Sequence, residues 1–185
     1  MHDDMRDDMA AGATGGAGRR LTAQELVVWR ALLDTTTELR RVLGARLQES
    51  GVSPGDYQVL LALREARGER LRSSELAATI DWERSRLSHH LGRMERRGLI
   101  QRDDCATDSR GAEVSLTASG AAAFRRASAP HLRDIKRYFV DALTPEQLET
   151  LAGVLQALQR HLRDEESADH AADAHMDTHA GDTDR

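Results

Sequence analysis

The segment RSRLSHHLGRMERRGLIQRDDCATDSR, residues 84–110, decides the fold of this chain. Its first half predicts a helix, because Leu87, Leu91 and Met94 recur at helical spacing and form one apolar stripe. Its second half predicts a short strand, a polar turn and a returning strand. Residues 84–102 hold six arginines and one acid, a local charge of +5. A positive helix followed by an arginine-tipped hairpin suits a DNA duplex, with the helix in the major groove and the hairpin tip in the minor groove.

The composition of the chain limits its class. Its 185 residues suffice for one domain with a core, and an aromatic content of 3% favours helices over a β-rich fold. No run of 18 apolar residues is present, and the acidic start MHDDMRDDMAAG lacks the apolar region of a secretory signal. The one cysteine, Cys105, excludes an intrachain disulfide framework. We therefore expect a helical protein of the reducing cytoplasm, without a membrane span.

The charge of the chain is unevenly distributed. Within the total of −5, residues 1–18 carry −3 and residues 164–185 carry −7, which leaves +5 on residues 19–163. Both termini are poor in apolar residues, so we predict disordered acidic tails at residues 1–20 and 164–185. The basic central part is consistent with a nucleic-acid partner.

Local end signals predict the helices. A Ser or Thr oxygen and a side-chain oxygen three residues later can satisfy the first backbone N–H groups of a helix, and such pairs begin at Thr22, Ser53 and Thr144. Ser73 with Ser74, and Thr117, are expected to cap two further helices. The predicted helices cover about residues 23–49, 54–67 and 73–81, then one starting near residue 83, one over 118–141 and a last one from 145.

The order of these elements predicts a mainly α-helical fold, a winged helix-turn-helix with a helical dimerisation body, about six helices and a two- to three-stranded wing. The DNA-binding domain covers residues 51–116. The dimerisation region covers 21–50 and 117–163, because a small winged domain does not need such long flanking helices for its own core. Leucines on the last helix follow a seam pattern typical of helix pairing: Leu148, Leu151, Leu155, Leu158 and Leu162.

Residues 73–120 resemble the MarR family of bacterial transcriptional regulators. They contain SSELAATI, SRLSHHLGRMERRGLIQR and DSRGAEVSLTASG in the order and spacing of that family. The most specific parts are the wing from Asp108 to Gly111 and the helix start with Leu116, Thr117 and Gly120. The resemblance implies a homodimer that binds a palindromic operator, usually as a repressor that a small ligand or oxidation releases.

The exposed side of the central helix carries the candidate DNA contacts. We predict base-edge contacts from the N-terminal half of the helix, and contacts with phosphate or solvent from arginines further along. The candidate residues on this helix are Ser85, Arg86, Ser88, His89 and Arg93, with Arg96 and Arg97 as additional phosphate contacts. An ordinary solvated charged face is the alternative. For His90, beside the apolar stripe, packing is favoured over base contact.

The wing carries a second set of candidates. Arg110 is expected to enter the minor groove, and Asp108 to hold the wing while Arg110 projects. An ordinary polar hairpin is the alternative. Cys105 lies beside the wing, so a redox-responsive regulator is a second hypothesis. It is disfavoured because Asp103 and Asp104 oppose thiolate formation, and because the peroxide-sensing thiol of related regulators lies near the first helix, where this chain has no cysteine.

The remaining features leave the effector open. By the resemblance, a ligand would lie between the helical body and the winged domain, where Trp29 and Tyr57 are the aromatic candidates, although core packing is favoured for each. Trp82 is expected to plug the turn before the central helix, with a role beneath a ligand as the alternative.

No metal, cofactor or enzymatic activity is predicted. The tail histidines His170, His175 and His179 would bind a metal only if that segment were helical, and solvated disorder is favoured. The serines and histidines of the central helix have no orienting acid or oxyanion signal near them, so catalysis is rejected. The alternative from another class is a winged helix used as a protein-interaction module, which would lack steep salt dependence.

Overall fold

The computed structural model describes the backbone of residues 20–103 and 112–179, and the side chains as far as residue 168. In these ranges the chain forms six α-helices and three strands. The helices are α1 (Ala23–Glu49), α2 (Pro54–Glu65), α3 (Ser73–Thr79), α4 (Arg84–Arg96), α5 (Ala118–Tyr138) and α6 (Pro145–His179). The strands are β1 (Arg70–Arg72), β2 (Ile100–Asp103) and β3 (Glu113–Leu116), and short 3-10 turns occupy Arg67–Glu69 and Val140–Ala142. This is the mainly α-helical fold with a winged helix-turn-helix that the sequence predicts.

The chain divides into two compact units, Met1–Glu38 and Leu39–Arg185. The described part of the first unit is the N-terminal part of α1. Its start is a reciprocal cap, in which the Thr22 N–H donates to Glu25 and the Glu25 N–H donates to the Thr22 hydroxyl. Trp29 is 54% exposed there, so the expectation that it packs in a core is wrong for the single chain.

The predicted helix starts of the second unit are confirmed, with one exception. Ser53 and Thr144 cap their helices as expected, and the Thr117 hydroxyl accepts from the Gly120 N–H. The exception is α3, which has Arg72 rather than a serine at its N-cap. The Ser73 hydroxyl instead donates to the Ala112 carbonyl at 2.8 Å, because the neighbouring strand offers an acceptor within reach.

The wing is a three-stranded antiparallel sheet in the order β1-β3-β2. The central strand pairs on both sides, so that Val114 lies opposite Leu71 in β1 and Arg102 in β2. Val114 is fully buried, which anchors the sheet against the helices. Strand β1 is therefore the third strand of the two- to three-stranded wing that the sequence predicts.

The core of the second unit lies between the helix-turn-helix and the sheet. Its fully buried large side chains come from α2 and the loop before it, α3, α4 and β3: Val52, Val59, Leu60, Leu63, Leu76, Leu87, Leu91, Met94 and Val114. The first turn of α5 closes this unit at the point where Gly120 lies against the backbone of Leu99. A Cβ at position 120 would overlap the Leu99 carbonyl oxygen, so this position requires glycine.

The last helix is longer than predicted. The sequence predicts a disordered tail from residue 164, whereas α6 continues to His179. Residues 164–179 contain no glycine or proline and include several alanines, so nothing local ends the helix at the predicted boundary. None of the helices in the described ranges combines the length and the apolar character needed to cross a bilayer.

Candidate nucleic-acid interface

Helix α4 has two distinct faces. One face packs in the core through Leu87, His90, Leu91 and Met94. The opposite face holds the predicted DNA-contact residues of this helix, which are all exposed: Ser85, Arg86, Ser88, His89 and Arg93. The structure therefore brings these candidates together on one accessible surface, in the helix that follows the turn of the helix-turn-helix.

Arg86 is held above the ring of Trp82. Its guanidinium carbon lies 4.0 Å from the ring centroid, a cation–π geometry. Trp82 itself is half-buried and packs against the core, as expected for a plug at the turn. The ring of Trp82 also meets the ring of His90 edge-on, at 5.1 Å between centroids. Arg86 is thus exposed, and its position depends on a partly buried aromatic residue.

His90 is buried, which confirms the packing interpretation. Its Nε2 lies 3.0 Å from Oδ1 of Asp56, a close contact whose angle falls outside hydrogen-bond geometry. Its Nδ1 lies 2.8 Å from Nη2 of Arg93. Burial lowers the pKa of His90 below its ordinary value, and Arg93 and Arg86 lower it further, against the opposing effect of Asp56. The imidazole is consequently neutral at pH 7.

Asp56 connects the start of α2 to residues of α4 and its C-terminal end. The sequence did not predict this connecting role. Asp56 is 2% exposed and accepts from the Ser53 N–H at 3.0 Å and from Nη1 of Arg97 at 2.6 Å. Burial acts to raise the pKa of Asp56, but the bonds from Arg97 and Ser53 outweigh burial and hold the pKa below its ordinary value. Asp56 is therefore a buried carboxylate whose charged partner is Arg97.

Arg97 has a structural role that the sequence does not predict. Its guanidinium binds Asp56 and also donates to the Gly51 carbonyl at 3.0 Å, while its side chain is 46% exposed. These contacts join the end of α4 to the start of α2, so Arg97 orients α4. The capping box does not reveal the contact with Asp56, because the Asp56 oxygen that accepts from the Ser53 N–H is the same oxygen that accepts from Arg97. The contact of Arg97 with a phosphate stays a prediction.

A small pocket lies between α4 and the wing. Its polar lining residues are two arginines and three serines: Arg84, Arg102, Ser73, Ser74 and Ser88. The Nε atom of Arg102 is buried and has no hydrogen-bond partner in the part of the chain that the structure describes. An arrangement of donors with this charge suits a phosphate of the DNA backbone.

The predicted wing contacts lie beyond the ends of β2 and β3. Asp108, Arg110 and Cys105 fall outside the described residues, as do the side chains of the three tail histidines. The strands that lead to the wing residues are in place, since Asp103 pairs with Glu113 at the open end of the sheet. The roles of Asp108 and Arg110 stay predictions.

Tyr57, one of the two aromatic candidates for an effector site, packs against other side chains, unlike the exposed Trp29. Tyr57 packs against Phe124 at 5.2 Å and His131 at 4.8 Å between ring centroids, and its hydroxyl lies 3.4 Å from Ser128 Oγ. Core packing is thus confirmed for Tyr57. Burial also lowers the pKa of His131, with Asp134 opposing.

A basic, exposed second helix in a helix-turn-helix, followed by a three-stranded wing, defines a winged helix-turn-helix protein of the DNA-binding class. Comparison with known proteins agrees. A sequence model of the MarR family matches residues 50–111. The chain is similar to AbsC, a MarR family transcriptional regulator from Streptomyces coelicolor, with 37% identity, 80% of this chain and 99% of that chain covered, and a TM-score of 0.73.

A second MarR family regulator from Streptomyces coelicolor, Sco3205, whose structure contains DNA, has 36% identity, with 78% of this chain and 91% of that chain covered and a TM-score of 0.72. The regulator PrsX of Escherichia coli is 24% identical, over 76% of this chain and 84% of its own length. The chain therefore belongs to the MarR family and is a DNA-binding transcriptional regulator. The relatives named here are regulators rather than enzymes.

Proposed function

We propose that this protein is a homodimeric, sequence-specific regulator that represses transcription from a palindromic operator and is released by a small-molecule effector. The observation that carries the proposal is the division of α4 into a core face and an exposed face of serine, histidine and arginine side chains. An α-helix fits the major groove, where each base pair presents a distinct pattern of donors and acceptors.

The residues of the exposed face have different roles in this proposal. Arg86 offers a bidentate pair of donors to guanine, and Ser85, Ser88 and His89 contact base edges or phosphates nearby. Arg93 contacts a phosphate of the DNA backbone. In the wing, Arg110 enters the minor groove and Asp108 supports it, a role proposed from the sequence motif. The arginines and serines that line the pocket beside β2 add a phosphate contact.

Exposed apolar surface supports a homodimer. In the first unit, α1 exposes Val27, Val28, Trp29, Leu32 and Leu33. In the second unit, α6 exposes Val154, Leu155, Leu158 and Leu162, at the helical spacing of a packing seam. Apolar stripes of this length on a water-soluble protein mark an interaction surface, and we propose that a second copy of the chain covers them.

A dimer implies a particular operator. Two copies related by a two-fold axis present their α4 helices to successive major grooves, about 34 Å apart, so the preferred site has two inverted half-sites about one helical turn apart. Repression and ligand release are taken from the family. Tyr57, with its aromatic neighbours, and the exposed Trp29 stay the candidates for contact with an effector.

Binding of selected and scrambled DNA tests this proposal. A duplex would first be selected by the protein from a random pool, and its affinity compared with that of a scrambled duplex by fluorescence anisotropy. We expect an inverted repeat, a strong preference for it, and a steep loss of affinity as salt rises. Arg86→Ala should weaken binding to the selected duplex by about 1–3 kcal/mol and relax the sequence preference.

The matched control is Arg160→Ala, which removes an exposed arginine from α6 and should leave the sequence preference intact. Equal affinity for selected and scrambled DNA would refute sequence-specific recognition. A monomer in analytical ultracentrifugation would refute the dimer. Weak, salt-insensitive binding to any duplex would favour the protein-interaction module instead.

A further inference from the structure

His90 joins a buried carboxylate to two exposed arginines. On its inner side, Nε2 lies 3.0 Å from Asp56. On its outer side, Nδ1 lies 2.8 Å from Nη2 of Arg93. The rings of Trp82 and His90 are nearly perpendicular, with 5.1 Å between their centroids, and Arg86 lies over the Trp82 ring at 4.0 Å. One buried imidazole therefore contacts Arg93 directly and Arg86 through an aromatic ring.

The contacts of His90 determine its protonation state. A guanidinium has donors only, so the Nδ1 atom that faces Arg93 must act as an acceptor. The ring proton then lies on Nε2, towards the carboxylate of Asp56. A second proton on Nδ1 would place an N–H group against an N–H group of Arg93, and a positive charge beside another. The contact between His90 and Arg93 consequently exists only with a neutral ring.

The charged groups around His90 favour the neutral ring. Helix α2 contributes Asp56, whose other oxygen is already bound by Arg97. Helix α4 contributes Arg93 and Arg86, both of which act to lower the pKa of His90, as does burial. The carboxylate of Asp56 is thus shared with Arg97, while Arg93 and Arg86 oppose protonation of His90. As the pH falls below the ordinary range of histidine, protonation breaks the contact with Arg93.

We propose that neutral His90 is a positioning residue for DNA recognition, which fixes Arg93 directly and Arg86 through Trp82, and that protonation of His90 reduces the discrimination between operator and unrelated DNA. This inference rests on the proposed function, specific recognition by α4. Discrimination, rather than total affinity, is the affected quantity. An added positive charge strengthens attraction to any phosphate backbone. Base recognition instead requires that Arg86 is held in place and that Arg93, through its phosphate contact, keeps the helix in register.

The test is the ratio of affinities for the selected and the scrambled duplex, measured at about pH 8 and about pH 5, because the pKa of His90 lies below the ordinary histidine range. In the unaltered protein we expect the ratio to fall about tenfold at the lower pH, the size of one weakened base contact. His90→Gln supplies an amide oxygen to Arg93 and an amide N–H to Asp56 at both pH values. It should retain a high ratio and lose the pH dependence. His90→Phe supplies neither group and should have a low ratio throughout.

Gly55→Ala gives an independent perturbation that removes no polar group. A Cβ at this position would lie 2.9 Å from Trp82 and 3.0 Å from the His90 ring, so both rings must shift. We expect a lower ratio with the pH dependence retained. The matched control is His161→Gln, which replaces an exposed histidine on α6 and should behave like the unaltered protein at both pH values. Far-UV circular dichroism would establish that each variant is folded.

The outcomes separate this inference from the proposed function. If the unaltered protein prefers the selected duplex equally at both pH values, or if His90→Gln shows the same fall as the unaltered protein, the positioning role is wrong while specific recognition stands. A Gly55→Ala variant with an unchanged ratio would remove Trp82 and Arg86 from the inference. If the unaltered protein shows no preference at either pH, the proposed function itself fails.

Discussion

Replacing the buried carboxylate of Asp56 tests whether it orients α4. Asp56→Asn preserves the size of the side chain and removes its charge. The carboxylate accepts from the Ser53 N–H and from Arg97, and it faces Nε2 of His90. An asparagine has one acceptor oxygen, so its amide nitrogen must face either Arg97 or His90, both of which present donors there. The substitution therefore leaves at least one donor pair in contact inside the protein.

The expected loss of stability follows from these partners. A hydrogen bond to a charged group contributes about 1.5–3 kcal/mol, against about 0.5–1.5 kcal/mol for a neutral one. Water can replace part of the Arg97 contact, since the Arg97 side chain is 46% exposed. The Asp56 side chain is 3% exposed, so its other contacts have no such replacement. We expect Asp56→Asn to lower the free energy of unfolding by about 2–3 kcal/mol.

Urea denaturation followed by circular dichroism measures this loss, at one fixed protein concentration because association contributes to stability. Glu65→Gln is the matched control, since it makes the same chemical change at an exposed position of the same helix and should alter the free energy by less than about 0.5 kcal/mol. Thermal unfolding should show a decrease of about 4–12 °C for Asp56→Asn. A loss below about 1 kcal/mol would refute the assignment of Asp56 as the group that orients α4.

Three further predictions concern stability and binding. Gly120→Ala should destabilise the protein by about 3 kcal/mol or more in urea denaturation, because its methyl group would overlap the Leu99 carbonyl; a near-neutral effect would show that the first turn of α5 shifts freely. Arg110→Ala should weaken operator binding by about 1–3 kcal/mol in anisotropy titrations, and unchanged affinity at moderate salt would remove the wing from recognition. The pKa of His90 is lowered by folding, so the unfolded chain takes up this proton first, and stability should fall as the pH drops below the ordinary histidine range. His90→Gln should reduce that slope, and an identical slope would assign the effect to other groups.

Most helix starts were predictable from the sequence because their signals are local. The oxygen of Thr22 or Ser53 and its partner three residues later lie within one turn, so the start of such a helix depends on adjacent residues. The apolar spacing of α4 likewise predicted which face is buried. Arg72 at the start of α3 was missed because the hydroxyl of Ser73 found an acceptor, Ala112, that is distant in sequence.

The polar contacts of the interface were less predictable for the same reason. Arg97 and Asp56 are 41 residues apart, and nothing local indicates that this arginine, among several on the same helix, has a buried partner. His90 was correctly predicted to pack, although its contact with Arg93 depends on which ring nitrogen faces outward. Charge and spacing thus identified the exposed face of α4 as the interaction surface. Which of its arginines bind other protein groups, and which are available to DNA, depends on the tertiary fold.

The side chains on the exposed face of α4 differ in how closely they contact the interior of the protein. This difference affects how operator preference can change. Ser85, Ser88 and His89 project into solvent, whereas Arg86 rests on Trp82 and Arg93 on His90. Variation at the first three positions alters what the helix presents to a base pair at little cost to folding, so new preferences can arise there one substitution at a time. The two arginines are tied to interior residues, and their replacement requires compensating changes below the surface. A library built on this scaffold would accordingly randomise the serines and His89 first.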